Sequence, residues 1–134
     1  MLRIAIAALG AALILSGCAT YSAGVGTPVI AATDMPAQLQ KTDDASLGRS
    51  VHFEHAGIKS LPDGLKQAFI TLRSQSNYDQ HLQYRFYWYD ANHQQVGQTP
   101  WIALVLHGKE QQQLQSTANS NNASAFRFYV RQVD

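Results

Sequence analysis

The chain has one cysteine among its 134 residues, which excludes an intramolecular disulfide framework. Long hydrophobic runs are missing too. The longest apolar stretch, Ile4 to Leu15, falls well short of the ~20 residues that a membrane-spanning helix needs. Neither sign of charge dominates: ten Lys and Arg stand against nine Asp and Glu, with no block of like charges. Such a chain has no basic face to neutralise phosphates, so nucleic acid is excluded as a partner. The motifs HExxH, CxxC, the EF-hand loop and G-x-S-x-G are absent, which argues against a metal site, against any cofactor and against a Ser or Cys hydrolase. On this reading the protein is not an enzyme.

What is present begins at the N-terminus. Arg3 precedes the apolar run, and Leu15-Ser16-Gly17-Cys18 closes it. A basic start, a short apolar stretch and small residues before a cleavage point make residues 1–17 a secretory signal. Leu-Ser-Gly directly before Cys18 resembles the lipobox of bacterial lipoproteins. That resemblance implies a diacylglyceryl and acyl modification of Cys18, which also accounts for an unpaired thiol in an exported chain. Each buried CH₂ of such an anchor adds roughly 0.8 kcal/mol of membrane affinity. Ala19, rather than Asp, follows the cysteine; in lipoproteins of enteric type this implies the outer membrane, facing the periplasm. Without Arg3 the mature chain carries nine charges of each sign and a surface rich in Gln, Ser and Asn.

Residues 18–49 contain Gly24, Gly26, Pro28, Pro36 and Gly48 and sustain no apolar periodicity. They read as a flexible tether, with Val29 to Ala32 a possible edge strand and part of the segment able to dock on the domain. From residue 50 to 134 the period becomes two, the mark of half-buried strands. In Ser50 to His55, Val51, Phe53 and His55 share one face and His52 and Glu54 the other. Ala68 to Ser74 alternates with Ala68, Ile70 and Leu72 inward. Leu82 to Asp90 is the strongest segment, with Leu82, Tyr84, Phe86 and Trp88 opposite Gln83, Arg85, Tyr87 and Tyr89. Trp101 to Leu106 is almost wholly apolar and reads as buried, or at least partly two-sided. Gln112 to Ser116 and Ala125 to Val130 complete the set, the latter with Phe126, Phe128 and Val130 on one face. Turn signals lie between these runs, and no long helix is indicated. The pattern predicts an antiparallel, Ig-like β-sandwich of about seven strands, with a small open barrel as the alternative.

The run Tyr84-Arg85-Phe86-Tyr87-Trp88-Tyr89-Asp90 carries a resemblance. With Leu82, Val96, Trp101, Leu104, Gly108 and the closing Phe126-Arg127-Phe128-Tyr129-Val130-Arg131, it is similar to the YcfL family of small bacterial lipoproteins, the DUF1425 domain, over roughly residues 65–131. The resemblance implies a β-sandwich of uncharacterised activity in the cell envelope. One departure stands out. The family's strand runs into Asp, two residues and Gly, whereas Asp90-Ala91-Asn92 is followed by His93. Asn tolerates the left-handed region better than most residues, so Asn92 is expected to take it and shift the hairpin by one residue.

Few side chains suggest chemistry. His52 and Glu54 share a strand face but need a third ligand from His81, His93 or His107, and they read better as solvated edge residues. Asp43-Asp44 falls in the tether, where nothing rigid holds a general acid. Gly108-Lys109-Glu110 reads as a turn. The outward face of the central strand is the better surface: Arg85, Tyr87 and Tyr89 lie two residues apart, with His81 and Asp90 at its ends. Tyr and Arg concentrate at binding hot spots, so this face is the candidate contact for an envelope protein. The competing expectation is a carrier or sensor that binds a small apolar ligand between the sheets.

Overall fold

The computed structural model describes residues 24–31 and 40–133. These form an antiparallel β-sandwich with one short helix. Three short strands come first: β1 (Gly24–Gly26), β2 (Ile30–Ala31) and β3 (Lys41–Thr42). Helix α1 (Ala45–Ser50) leads into β4 (Val51–Ser60), followed by β5 (Lys66–Ser74), β6 (Gln80–Tyr89), β7 (Gln95–Gln98), β8 (Ile102–Leu106), β9 (Gln111–Thr117) and β10 (Ala125–Gln132). The last seven strands each have four or more residues. Six of them follow the runs read from the sequence, and β7 matches none of those runs.

The smaller sheet has the order β4-β5-β9. The larger is built on β6 and β10, paired from Leu82↔Gln132 to Tyr89↔Ala125. Both β7 and β8 pair with successive halves of β6, and β1 and β2 with β10. Inward alternation on β6 and β10 stacks Phe86, Trp88, Phe126 and Phe128 between the sheets, with ring centroids 5.1 Å apart for Phe86 and Phe128 and 6.0 Å for Trp88 and Phe126. Phe53 of β4 meets Phe128 edge-on at 5.5 Å, joining the sheets. Contacts of this kind add about 0.5–1.5 kcal/mol each beyond the area they bury.

Four expectations need correction. First, the packed domain begins before residue 50. Val25, Ile30 and Leu47 are buried in the core; Val25 and Leu47 stand singly among small and polar residues and Ile30 lies in a run of only four apolar residues, so no sustained periodic signal marks them. Asp44 caps α1, its carboxylate accepting from the Leu47 N–H at 3.1 Å, and Asp43 accepts from the Tyr129 hydroxyl at 3.2 Å. Both acids belong to the fold. Second, a bulge between Phe53 and His55 shifts the register against β5. One extra residue reverses the alternation beyond it, so His55 is exposed and Ala56 takes the core position. Third, the apolar β8 is one-sided: Leu104 and Leu106 are buried while Ala103 and Val105 face out. Fourth, His93 itself has φ 66°, so the residue standing in the family's glycine position takes the left-handed conformation. Asn92 does not, because the Asp90 carboxylate accepts from both the Asn92 and Gln94 N–H groups and fixes the turn in its unshifted form.

The two lateral sides of the sandwich differ. On one, Gln40 lies against the outer edge of β4. Its amide nitrogen donates to the carbonyls of Val51 and Gly48 at 3.0 and 3.2 Å, and its oxygen accepts from the Phe53 N–H at 3.1 Å. The side chain acts as one more peptide unit and covers the edge. Strand β2 and helix α1 pack beside it. On the other side, β9 faces β7 across a cavity of about 170 Å³ lined by Trp88, Val96 to Pro100, Ser116 to Ser120 and Ala123.

Candidate functional site

Strand alternation sets Gln83, Arg85, Tyr87 and Tyr89 on the outward face of the larger sheet. The register with β10 then sets Arg131 beside Gln83, Tyr129 beside Arg85 and Arg127 beside Tyr87. Trp101, just before β8, completes the group. Two guanidinium groups lie over its ring, with the Arg131 Cζ 3.7 Å and the Arg85 Cζ 4.6 Å from its centroid. Tyr129 meets the same indole edge-on at 6.2 Å. Guanidinium groups over an indole face are held by the ring quadrupole, worth about 0.5–2 kcal/mol each according to desolvation.

Hydrogen bonds fix this stack. Arg85 Nε donates to the Thr99 carbonyl at 2.9 Å. Thr99 also bonds the β6 backbone at Phe86, through its hydroxyl and its N–H, where the chain passes from β7 to β8. Arg131 Nε and Nη2 donate to Gln83 Oε1 at 3.1 and 3.0 Å. Arg127 Nε donates to the Thr27 carbonyl at 3.3 Å. Three arginines therefore share one face, each held in a defined pose.

Of the residues singled out from the sequence, Arg85, Tyr87 and Tyr89 lie half-buried on this face. His81 and Asp90 do not join them at one point. They sit beyond opposite ends of the row, nine residues apart along an extended strand and therefore roughly 30 Å from each other. The Asp90 carboxylate is occupied in its turn. Trp101, Tyr129, Arg127 and Arg131 were not singled out; the alternation of Phe126 to Arg131 already put three of them on one face, but not beside β6. Cys18 lies outside the described residues.

Among the described residues no three His, Cys, Asp or Glu side chains gather as a metal site. Glu54 pairs with Arg73 at 2.9 Å. His107, in the turn after β8, contacts Asp79 at 3.0 Å, and this bond with its charge raises the imidazole pKa above the ordinary value. Burial raises the Tyr84 phenol pKa, so it stays neutral. In the cavity wall, the buried Trp88 indole nitrogen has no hydrogen-bond partner. No helix among the described residues is long and apolar enough to cross a membrane.

Comparison with known proteins places these features in context. The model of a family described as DUF1425, protein of unknown function, matches residues 38–132. The chain is similar to the crystal structure of a DUF1425 family member from Shewanella sp. PV-4, with 33% identity and a TM-score of 0.59 over 71% of this chain and 89% of that one. It is also similar in fold to Cj0090 of Campylobacter jejuni, with 19% identity and a TM-score of 0.51 over 61% of this chain and 83% of that one. No curated protein matches the chain.

Proposed function

The chain belongs to the DUF1425 family, whose activity is unknown, and from that premise we propose that it is a lipid-anchored, non-catalytic interaction module of the bacterial cell envelope. The observation that carries this reading is the stacking of Arg131 and Arg85 on Trp101. Arginine and aromatic side chains dominate binding hot spots. Here they are already ordered by Thr99 and Gln83, so less side-chain entropy is lost when a partner docks. With Arg85, Arg127 and Arg131 on one face, the complementary partner is an acidic segment of an envelope protein.

The anchor in this reading is lipid on Cys18, and Ala19 after it favours the outer membrane with the domain in the periplasm. A carrier for an apolar ligand between the sheets has weaker support. The cavity beside Trp88 holds about 170 Å³, against roughly 300–1,000 Å³ for ligand pockets in general.

The test places a photoreactive residue at Tyr87 in the full chain and irradiates living cells. An adduct to one envelope protein through an acidic segment is expected. It should be lost when Arg85→Glu and Arg131→Glu are introduced together, at unchanged far-UV circular dichroism. An adduct indifferent to that charge reversal would sink the reading.

A further inference from the structure

A sandwich of two open sheets has four edges, and among the described residues three of them are covered, short or interrupted. The β4 edge carries the Gln40 side chain, the bulge at Glu54 and the exposed His52, His55 and Lys59. In the larger sheet, the edge formed by β7 and β8 is broken at Thr99-Pro100-Trp101, and the far edge is formed by β2 and β3, two residues each. The fourth edge is β9. It runs seven residues, Gln111 to Thr117, with no charge, no proline and no interruption. Pairing to β5 uses one side only. The bonds from Ser74 N–H to the Glu110 carbonyl and from Ala118 N–H to the Lys66 carbonyl bracket this ladder. Even-numbered residues of β9 therefore bond β5, and Gln111, Gln113, Gln115 and Thr117 direct their backbone groups outward. Natural edges are normally defended with charge, proline or a covering element. Among the described residues nothing of that kind defends this one.

We propose that β9 is a homodimerisation edge: a second copy of this chain adds its own β9 antiparallel, making one continuous six-stranded sheet across a two-fold axis. The sequence of the strand selects that occupant. Full overlap of Gln111 to Thr117 with itself centres on Leu114, which meets Leu114 of the second copy as the close, non-hydrogen-bonded pair. On the outer face Gln113 then lies opposite Gln115 and Gln111 opposite Thr117. Each pair has donors and acceptors on both sides and brings no like charges together. On the inner face Gln112 of the second copy lies opposite Ser116, a lining residue of the cavity. The strand itself offers acidic or basic partner peptides no counter-charge, and Arg73, which donates to Gln111 at 2.9 Å, is already paired with Glu54. The proposal stands apart from the outer face of the larger sheet and from the anchor.

The test uses the full chain expressed in cells, with Leu114→Cys added and mild oxidation applied to the membranes. Facing Cα atoms of a non-hydrogen-bonded pair are about 4.5 Å apart, inside the range of a disulfide. A cross-linked dimer is expected, above the background of the parent chain with Cys18 alone and above Lys59→Cys on the blocked edge. Adding Gln113→Lys and Gln115→Lys sets like charges opposite one another in both symmetric pairs and should lower the yield about tenfold. Gln113→Lys with Gln115→Glu restores complementarity in this register and should recover it. Co-expressing Gln113→Cys with Gln115→Cys repeats the measurement at exposed positions that leave the core intact. Yields insensitive to the charge pairs, or no dimer above the Lys59→Cys control, would overturn the proposal. So would a disulfide formed only with a different protein.

Discussion

The ring of Tyr129 lies across Gly26, so close that a Cβ built on the glycine would stand 2.7 Å from the ring. The two are register partners, and Gly24 meets the same ring one pleat away. The same device recurs in the smaller sheet, where Phe69 covers its partner Gly57. Absence of a side chain on one strand lets an aromatic ring from the next lie flat over it. Gly26→Ala should therefore destabilise the domain by about 1–3 kcal/mol through overpacking, read as a lower urea midpoint at unchanged slope. An unchanged midpoint would show that Tyr129 moves aside freely.

The Gln40 side chain is a second pinning point. Gln40→Leu keeps the bulk but leaves the Val51 carbonyl and Phe53 N–H without their partner. A loss of about 1–3 kcal/mol is expected. Hydrogen exchange at the Phe53 amide should accelerate more than at Ile70 in the centre of the same sheet.

His93 carries strain that a glycine would not. Its φ of 66° costs a residue with a Cβ about 1–2 kcal/mol, partly offset by the greater unfolded freedom of glycine. His93→Gly should raise stability by about 0.5–1 kcal/mol. A decrease in the thermal midpoint would mean that the imidazole makes a compensating contact.

The His107–Asp79 contact makes a pH prediction with a definite sign. The folded-state pKa of His107 lies above its unfolded value. The contribution of the pair is therefore complete below the unfolded pKa and disappears as pH rises through the folded one. Nuclear magnetic resonance should find the His107 titration moved up, and Asp79→Asn should return it to the ordinary position. Because both side chains are more than half exposed, the accompanying stability change should be small and weakened by salt.

Cys18 offers the test of the anchor. Cys18→Ser should abolish labelling by radioactive fatty acid and leave uncleaved precursor. Full labelling of the variant would mean that the lipid is attached elsewhere.

Much of this architecture is legible in the chain itself. Leu82 to Tyr89 alternates without fault, and its buried and outward faces follow from period two alone. Glu54 marks where that reasoning stops, because a bulge adds a residue that leaves no trace in the pattern of polar and apolar side chains. Val25 and Leu47 escaped for another reason. Each is an isolated apolar residue whose burial depends on a distant strand rather than on its neighbours. The Arg131–Trp101 contact is of the same kind: alternation gives the face of each residue, but only the pairing of β6 with both β8 and β10 brings them together.

The pairing of β1 with β10 determines how the molecule carries load. Gly24 lies beside Arg131, and Arg131 lies on Trp101. A pull on the chain ahead of Gly24, resisted by a partner gripping the outer face, runs from one strand to the next and out through the arginine. The aromatic core and the smaller sheet lie off that line. Tension entering at Gly24 would be borne by three register pairs between β1 and β10, ahead of the aromatic core.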